Sequence, residues 1–214
     1  MPSGAQSLGG NGVCRRCAVR AKAVPLKARK RQFAHEAIWE AAVGLFVEKG
    51  FEQVTVDEVA QAAGISRRTF FRYFNSKNDL MAQTVVAYGE ELSRAVRACP
   101  RAWPLRRVLE AVATEVGSVV SERPHVRQIV RIAGSNEAAR VALLSSTPLA
   151  TEQLSTAFAE RLRKRSSDPL RPRLLASITL SILNVVIQTW GESDSLEIAA
   201  LMKEAFATLD QLTE

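Results

Sequence analysis

Histidine and cysteine are scarce in this chain, two and three residues in 214, and aromatic side chains make up 6%. With only His35 and His125, general acid–base chemistry has few instruments. The sequence has no HExxH, no pair of Glu-x-x-His motifs, no Gly-rich phosphate loop and no nucleophile elbow. A helical-bundle enzyme would need such a convergent set, so this reading is disfavoured and no metal or cofactor is expected. No apolar run approaches the roughly 20 residues of a membrane span, so no membrane partner is expected. Strand alternation is missing too, which leaves helices as the building material. Cys14 and Cys17 form a lone CxxC. Neither Cys99 nor the two histidines are spaced to complete a zinc site, and no thioredoxin-like context surrounds the pair. Three cysteines, one left over, suit a reducing compartment, and the expected location is the cytoplasm.

Apolar residues make up 47% of the chain, enough for a sizeable core, and the net charge is +7. That charge is unevenly placed. Residues 1 to 31 hold eight basic side chains and no acid, so the remainder nets −1, with 21 basic against 22 acidic residues. Residues 1–30 lack a sustained apolar period and the apolar stretch of a secretory signal, and read as a disordered basic arm of the kind that follows phosphates.

Beyond the arm, apolar residues recur with helical period. A first helix is expected from about Arg31 to Lys49, with Ala34, Ala37, Ile38, Ala41, Leu45 and Phe46 as its stripe and Gly50 as its stop. In "TVDEVAQAAGIS", Thr55 and Glu58 form a T-x-x-E capping box, Gly64 ends a two-turn helix, and Ser66 caps the next one at Arg67. Two short helices joined by a Gly-containing turn form a helix-turn-helix. In the stretch "ISRRTFFRYFNSK", Phe70 and Phe74 are four apart and are expected inward, while Arg68 and Arg72 point away and Arg67 and Phe71 lie at the border. An outer edge of arginine, threonine and an aromatic ring suits a DNA major groove. Ser76 with Asp79 caps a fourth helix running to about Ala98, and Lys77 at its first position is expected to meet a phosphate. Residues 31–80 as a whole are not basic, with six basic and seven acidic residues; only the 67–77 edge is.

"LFVEKGFEQVTVDEVAQAAGIS" followed by "RRTFFRYFNSKNDLM" resembles the TetR family of transcriptional regulators. The likeness covers residues 31–80 closely. It implies an all-α protein: a three-helix helix-turn-helix DNA-binding domain at 31–80, then a helical ligand-binding and dimerisation domain at 81–214, about nine to ten helices in all. Carried over residue by residue, Thr55 would touch a phosphate, and Ser66, Arg67, Arg68, Thr69 and Arg72 would lie at the recognition helix. Phe71 stands where the family usually has Tyr, and Tyr73 where it often has His. Lys77 matches a phosphate-binding lysine.

The rest of the chain reads as helices over about 104–121, 124–133, 136–145, 148–166, 171–190 and 195–212, punctuated by prolines and Gly191. The stretch "RLLASITLSILNVVIQTWG" is apolar nearly all round and is expected to be buried. By the resemblance, the last two helices pair with their mates in a homodimer. The likeness also implies a repressor that binds a palindromic DNA operator and is released by a small-molecule effector. Trp103, His125, Arg127, Arg131, Asn184 and Trp190 are the candidate effector contacts. Arg127 and Arg131, four apart with His125 near them, suit an anionic ligand such as an acyl-CoA, or equally a solvated face; an apolar effector fits a pocket among bundle helices. A helical interaction protein whose helix-turn-helix has lost DNA binding is the remaining alternative.

Overall fold

The computed structural model describes residues 26–162 and 168–211. Among them are ten α-helices and no strand. The first four are α1 (Leu26–Lys49), α2 (Val56–Ala62), α3 (Arg67–Phe70) and α4 (Lys77–Ala98). Helix α1 begins five residues before the expected boundary, so the end of the supposed arm is helical; Cys14 and Cys17 lie outside the described residues. Six more follow: α5 (Leu105–Ser121), α6 (Pro124–Ser135), α7 (Glu137–Leu144), α8 (Thr147–Leu162), α9 (Leu170–Glu192) and α10 (Ile198–Gln211).

Helix ends fall where the local chemistry puts them. Gly50 and Gly64 take φ of 85° and 67°, a left-handed backbone that a side chain would strain, and each turns the chain after a helix. Asn136 caps α7 by accepting from Ala139 N–H at 2.9 Å.

Two apolar clusters build the molecule. The first, the head, packs Ile38, Val43, Phe46 and Phe51 of the α1 region against Val59, Phe70, Phe74 and Leu80, and it also takes in Ile129, Ala139 and Ala142 from α6 and α7. The head therefore shares its core with the body rather than hanging from it. The second cluster joins α4 (Leu92, Val96) to α5 (Val108, Val112, Val116), α8 (Leu154, Phe158), α9 (Leu183, Val186, Trp190) and α10 (Met202, Phe206). Helix α4 runs through both. Its Gly89 lies where an added Cβ would sit 2.8 Å from the Ala150 Cβ of α8, so α4 and α8 cross closely there.

Helix α9 departs from expectation in two ways. An 18-residue stretch within its 23 residues has a mean hydropathy of 1.5, and the helix is long and apolar enough to cross a membrane, so the absence of any such run, as read from the sequence, does not hold. Nor is α9 buried all round. Ala176, Thr179, Leu183, Val186 and Trp190 face the core, while Leu170, Leu174, Ile178 and Val185 form an exposed apolar stripe on the opposite side.

Candidate functional site

The outer edge of the head is built on α2 and α3. Thr55 caps α2 as a full capping box: its N–H donates to Glu58 Oε2 at 2.9 Å, and Glu58 N–H donates back to Thr55 Oγ1 at 3.3 Å. Lys49 Nζ donates to Glu58 Oε1 at 2.8 Å. This Lys49 bond, with the Thr55 donors, holds the Glu58 carboxyl down at about 2. Thr55 is thus exposed on the rim with its hydroxyl committed to Glu58.

Ser66 caps α3, accepting from Thr69 N–H at 3.1 Å. Regular α-helix covers only Arg67–Phe70, after which the chain tightens: Arg72 N–H donates to Thr69 O at 3.2 Å and Tyr73 N–H to Phe70 O at 2.9 Å. Phe70 and Phe74 are fully buried, as their spacing predicts. Phe71 is 45% exposed, and Arg68, Thr69, Phe71 and Arg72 line one open hollow on the surface. Arg67 pairs with Asp57 at 2.6 Å and stacks over the Phe71 ring at 5.5 Å. Arg72 lies over the Tyr73 ring at 5.2 Å. Arg68 is exposed and has no ion-pair partner among the described residues. Tyr73 is half-buried against the head core.

Lys77 corrects the sequence reading. Its ammonium does not face outward; it donates to the carbonyls of Phe51, Glu52 and Val54 at 2.8, 2.8 and 2.9 Å and lies 5.0 Å from the Phe51 ring. An ammonium has three protons, and all three are used within the protein. Burial lowers its pKa. Lys77 ties the start of α4 to the loop between α1 and α2, which fixes the angle at which α3 is presented.

The effector candidates scatter. Arg127 donates to Ser193 O at 3.1 Å and Asp194 Oδ1 at 2.6 Å, and Arg131 donates to Gly191 O at 2.9 Å and Asp194 Oδ1 at 2.9 Å. They satisfy the open carbonyls at the C-terminal end of α9 and pull down the pKa of Asp194, so the expected anion-binding pair is a helix cap. His125 faces Glu40 of α1 at 3.7 Å. Trp103 lies beneath the Arg107 guanidinium at 4.2 Å, and Trp190, beneath Arg127 at 4.1 Å, is core. Of the six, only Asn184 lines the cavity that the structure does contain.

That cavity, about 660 Å³, lies among α4 to α9. Val85 and Leu92 of α4, Ile129 and Val130 of α6, and Leu180 and Ile187 of α9 supply apolar walls. Thr84 and Tyr88 of α4 also line it, and the sequence reading missed both. Their four-residue spacing on a helix already assigned was the available signal. Burial holds the Tyr88 phenol up at about 12.

Residues 38–84 match the family described as bacterial regulatory proteins, tetR family, and residues 104–213 match the MftR C-terminal domain. The chain belongs to the TetR family. This TetR-type chain is 26% identical over 199 residues to the transcriptional regulator TcmR of Streptomyces glaucescens, covering 87% of this chain and 86% of that protein. It is 27% identical over 192 residues to a Mycobacterium tuberculosis protein named for transcriptional regulation of mycofactocin biosynthesis, MftR, with 87% and 96% covered. Its fold is similar to that of FadR from Bacillus subtilis, solved in complex with stearoyl-CoA (TM-score 0.58, 19% identity, 82% and 97% covered). Members of this family are DNA-binding transcriptional regulators rather than enzymes. The tetR-family match thus falls on the helix-turn-helix region and the MftR match on α5–α10.

Proposed function

We propose that this regulator is a homodimeric repressor that binds a palindromic operator through α3 and is released when a small molecule enters the α4–α9 cavity. One observation carries the reading: α4 belongs to both sites. Its first residue, Lys77, is tied to the loop that orients the helix-turn-helix, and its Thr84, Val85, Tyr88 and Leu92 form a cavity wall. A ligand that favours one tilt of α4 would shift the spacing of two recognition helices. Its leverage is its differential affinity for the two tilts.

Arg68, Thr69, Phe71 and Arg72 are the base-facing edge under this reading, with Arg67, Ser66, Thr55 and Tyr73 around it. The exposed stripe of Leu174, Ile178 and Val185 on α9 is the apolar surface that a second copy would cover. A dimer places two recognition helices about 34 Å apart, on successive major grooves of one DNA face. FadR's stearoyl-CoA complex supports an apolar or acyl effector, since the acyl part suits the cavity lining. A regulator of bacterial transcription works beside the chromosome, in the cytoplasm.

The test is selection of bound sites from a random duplex library with the full-length protein. A palindromic motif with half-site centres about one helical turn apart is expected. No enrichment at low salt from folded protein would put the interaction-protein reading in its place.

A further inference from the structure

None of the nineteen residues that line the α4–α9 cavity carries a charge. The charged groups at Tyr88 and at the end of α9 are already paired. Arg123, whose guanidinium is 5.8 Å from the Tyr88 ring, holds Glu91 at 2.5 Å. Arg127 and Arg131 hold Asp194 at the end of α9. An anion entering the cavity would lose its hydration and meet, in Arg123, only a guanidinium that Glu91 already neutralises.

Six hydroxyls, those of Thr84, Tyr88, Thr147, Thr151, Ser177 and Ser181, and the Asn184 amide break the apolar lining. Thr151 of α8 folds back on its own helix, donating to Thr147 O at 2.8 Å. Thr84 does not. Thr84 Oγ1 and Tyr88 Oη lie one turn apart on α4; Thr84 Oγ1 is buried with no hydrogen-bond partner, and Tyr88 Oη is buried beside the Arg123 guanidinium, which can only donate to it, so the phenol proton has no acceptor. A buried hydroxyl without a partner destabilises a fold and marks a position where a partner belongs. Because burial keeps the Tyr88 phenol protonated, its hydroxyl can offer a proton, and what it lacks is an acceptor.

We propose that the cavity selects an uncharged, mostly hydrocarbon effector bearing one acceptor oxygen, such as an ester, ketone or ether, bound by Tyr88 and Thr84, and that it excludes carboxylates. This rests on the reading of the cavity as the effector site. An acceptor held there bonds directly to α4, the helix that carries the change to the head.

The probes are methyl dodecanoate and dodecanoate, titrated calorimetrically into the full-length protein at pH 8. The ester is expected to bind at least about tenfold more tightly than the carboxylate, which must be desolvated. Tyr88→Phe should weaken ester binding about tenfold, the size of one hydrogen bond lost. The same change should raise the Tm of the free protein, because it removes a buried hydroxyl whose proton has no acceptor; a merely structural tyrosine would lower both. Thr84→Val is the second variant and should act in the same direction. A carboxylate that binds as tightly as the ester, or both variants binding the ester like wild type, overturns the charge and acceptor selection alone. Thr151→Trp, which fills the cavity from α8, separates the other failure. If neither probe binds wild type, or ester binding survives Thr151→Trp, the cavity is not the effector site and this inference falls with it.

Discussion

Lys77 gives all three ammonium protons to backbone carbonyls of the α1–α2 loop, so its role is architectural. Lys77→Ala leaves those carbonyls without their donor and should lower the unfolding free energy by about 2 kcal/mol in chemical denaturation. Its effect on DNA binding should follow the loss of head geometry. Stability unchanged to within about 0.5 kcal/mol, with a salt slope reduced by about one phosphate contact, would restore the phosphate role. The residue scale is also where the sequence was least legible. That Arg127 and Arg131 share a helix face follows from their four-residue spacing, but their counter-ion Asp194 is more than sixty residues away, and no local pattern announces it. Three carbonyls that converge on one lysine are likewise invisible in a string of side chains. Phe70 and Phe74 were legible because helical period alone decides which of the aromatics points inward.

At the scale of elements, capping chemistry carried most of the reading. Thr55, Ser66 and Ser76 start α2, α3 and α4 where their side chains accept a backbone N–H three residues on. Proline and glycine positions placed α5 to α10 within a few residues, because these residues break helices by geometry whatever the tertiary context. Regular α3 is only four residues long, the chain tightening after Phe70, yet Phe74 still reaches the head core. The capping box of α2 makes a pH prediction. The folded pKa of Glu58, about 2, lies below its ordinary value. Its contribution is therefore complete above the ordinary carboxylate range and is lost as pH falls through about 2. Glu58→Gln should flatten the acid limb of stability between about pH 4.5 and pH 2, followed by thermal melts; an acid limb identical to wild type would mean that the Lys49–Glu58–Thr55 cluster contributes nothing. Helix α9 shows where pattern reading stops. Apolarity nearly all round predicts burial, yet Leu170, Leu174, Ile178 and Val185 stay exposed on one face.

For the whole molecule, the bare face of α9 and the double membership of α4 are the features that matter. A stripe of Leu170, Leu174, Ile178 and Val185 on a monomer is an apolar surface awaiting cover. Under the dimer reading, Ile178→Glu with Val185→Glu places two unpaired carboxylates in the interface. The dissociation constant measured by sedimentation should rise about a hundredfold or more, while the helical content stays unchanged. A dimer that persists would place the interface elsewhere. Under the same reading, losing the dimer should also weaken operator binding, because one recognition edge reads only half a palindrome.

The central claim is that the Arg68 edge of α3 reads bases while Lys77 supports it from inside. The most direct measurement is the affinity of wild type and Arg68→Ala for the selected operator and for operators changed at each base pair, at a single fixed salt concentration. Arg68 is exposed and has no ion-pair partner among the described residues, so its removal should leave the fold intact. The account predicts a loss of about 1–3 kcal/mol on the operator and almost none on duplexes already changed at one particular base pair, so that preference there is relaxed. An equal loss on every duplex, or no loss on any, would contradict it.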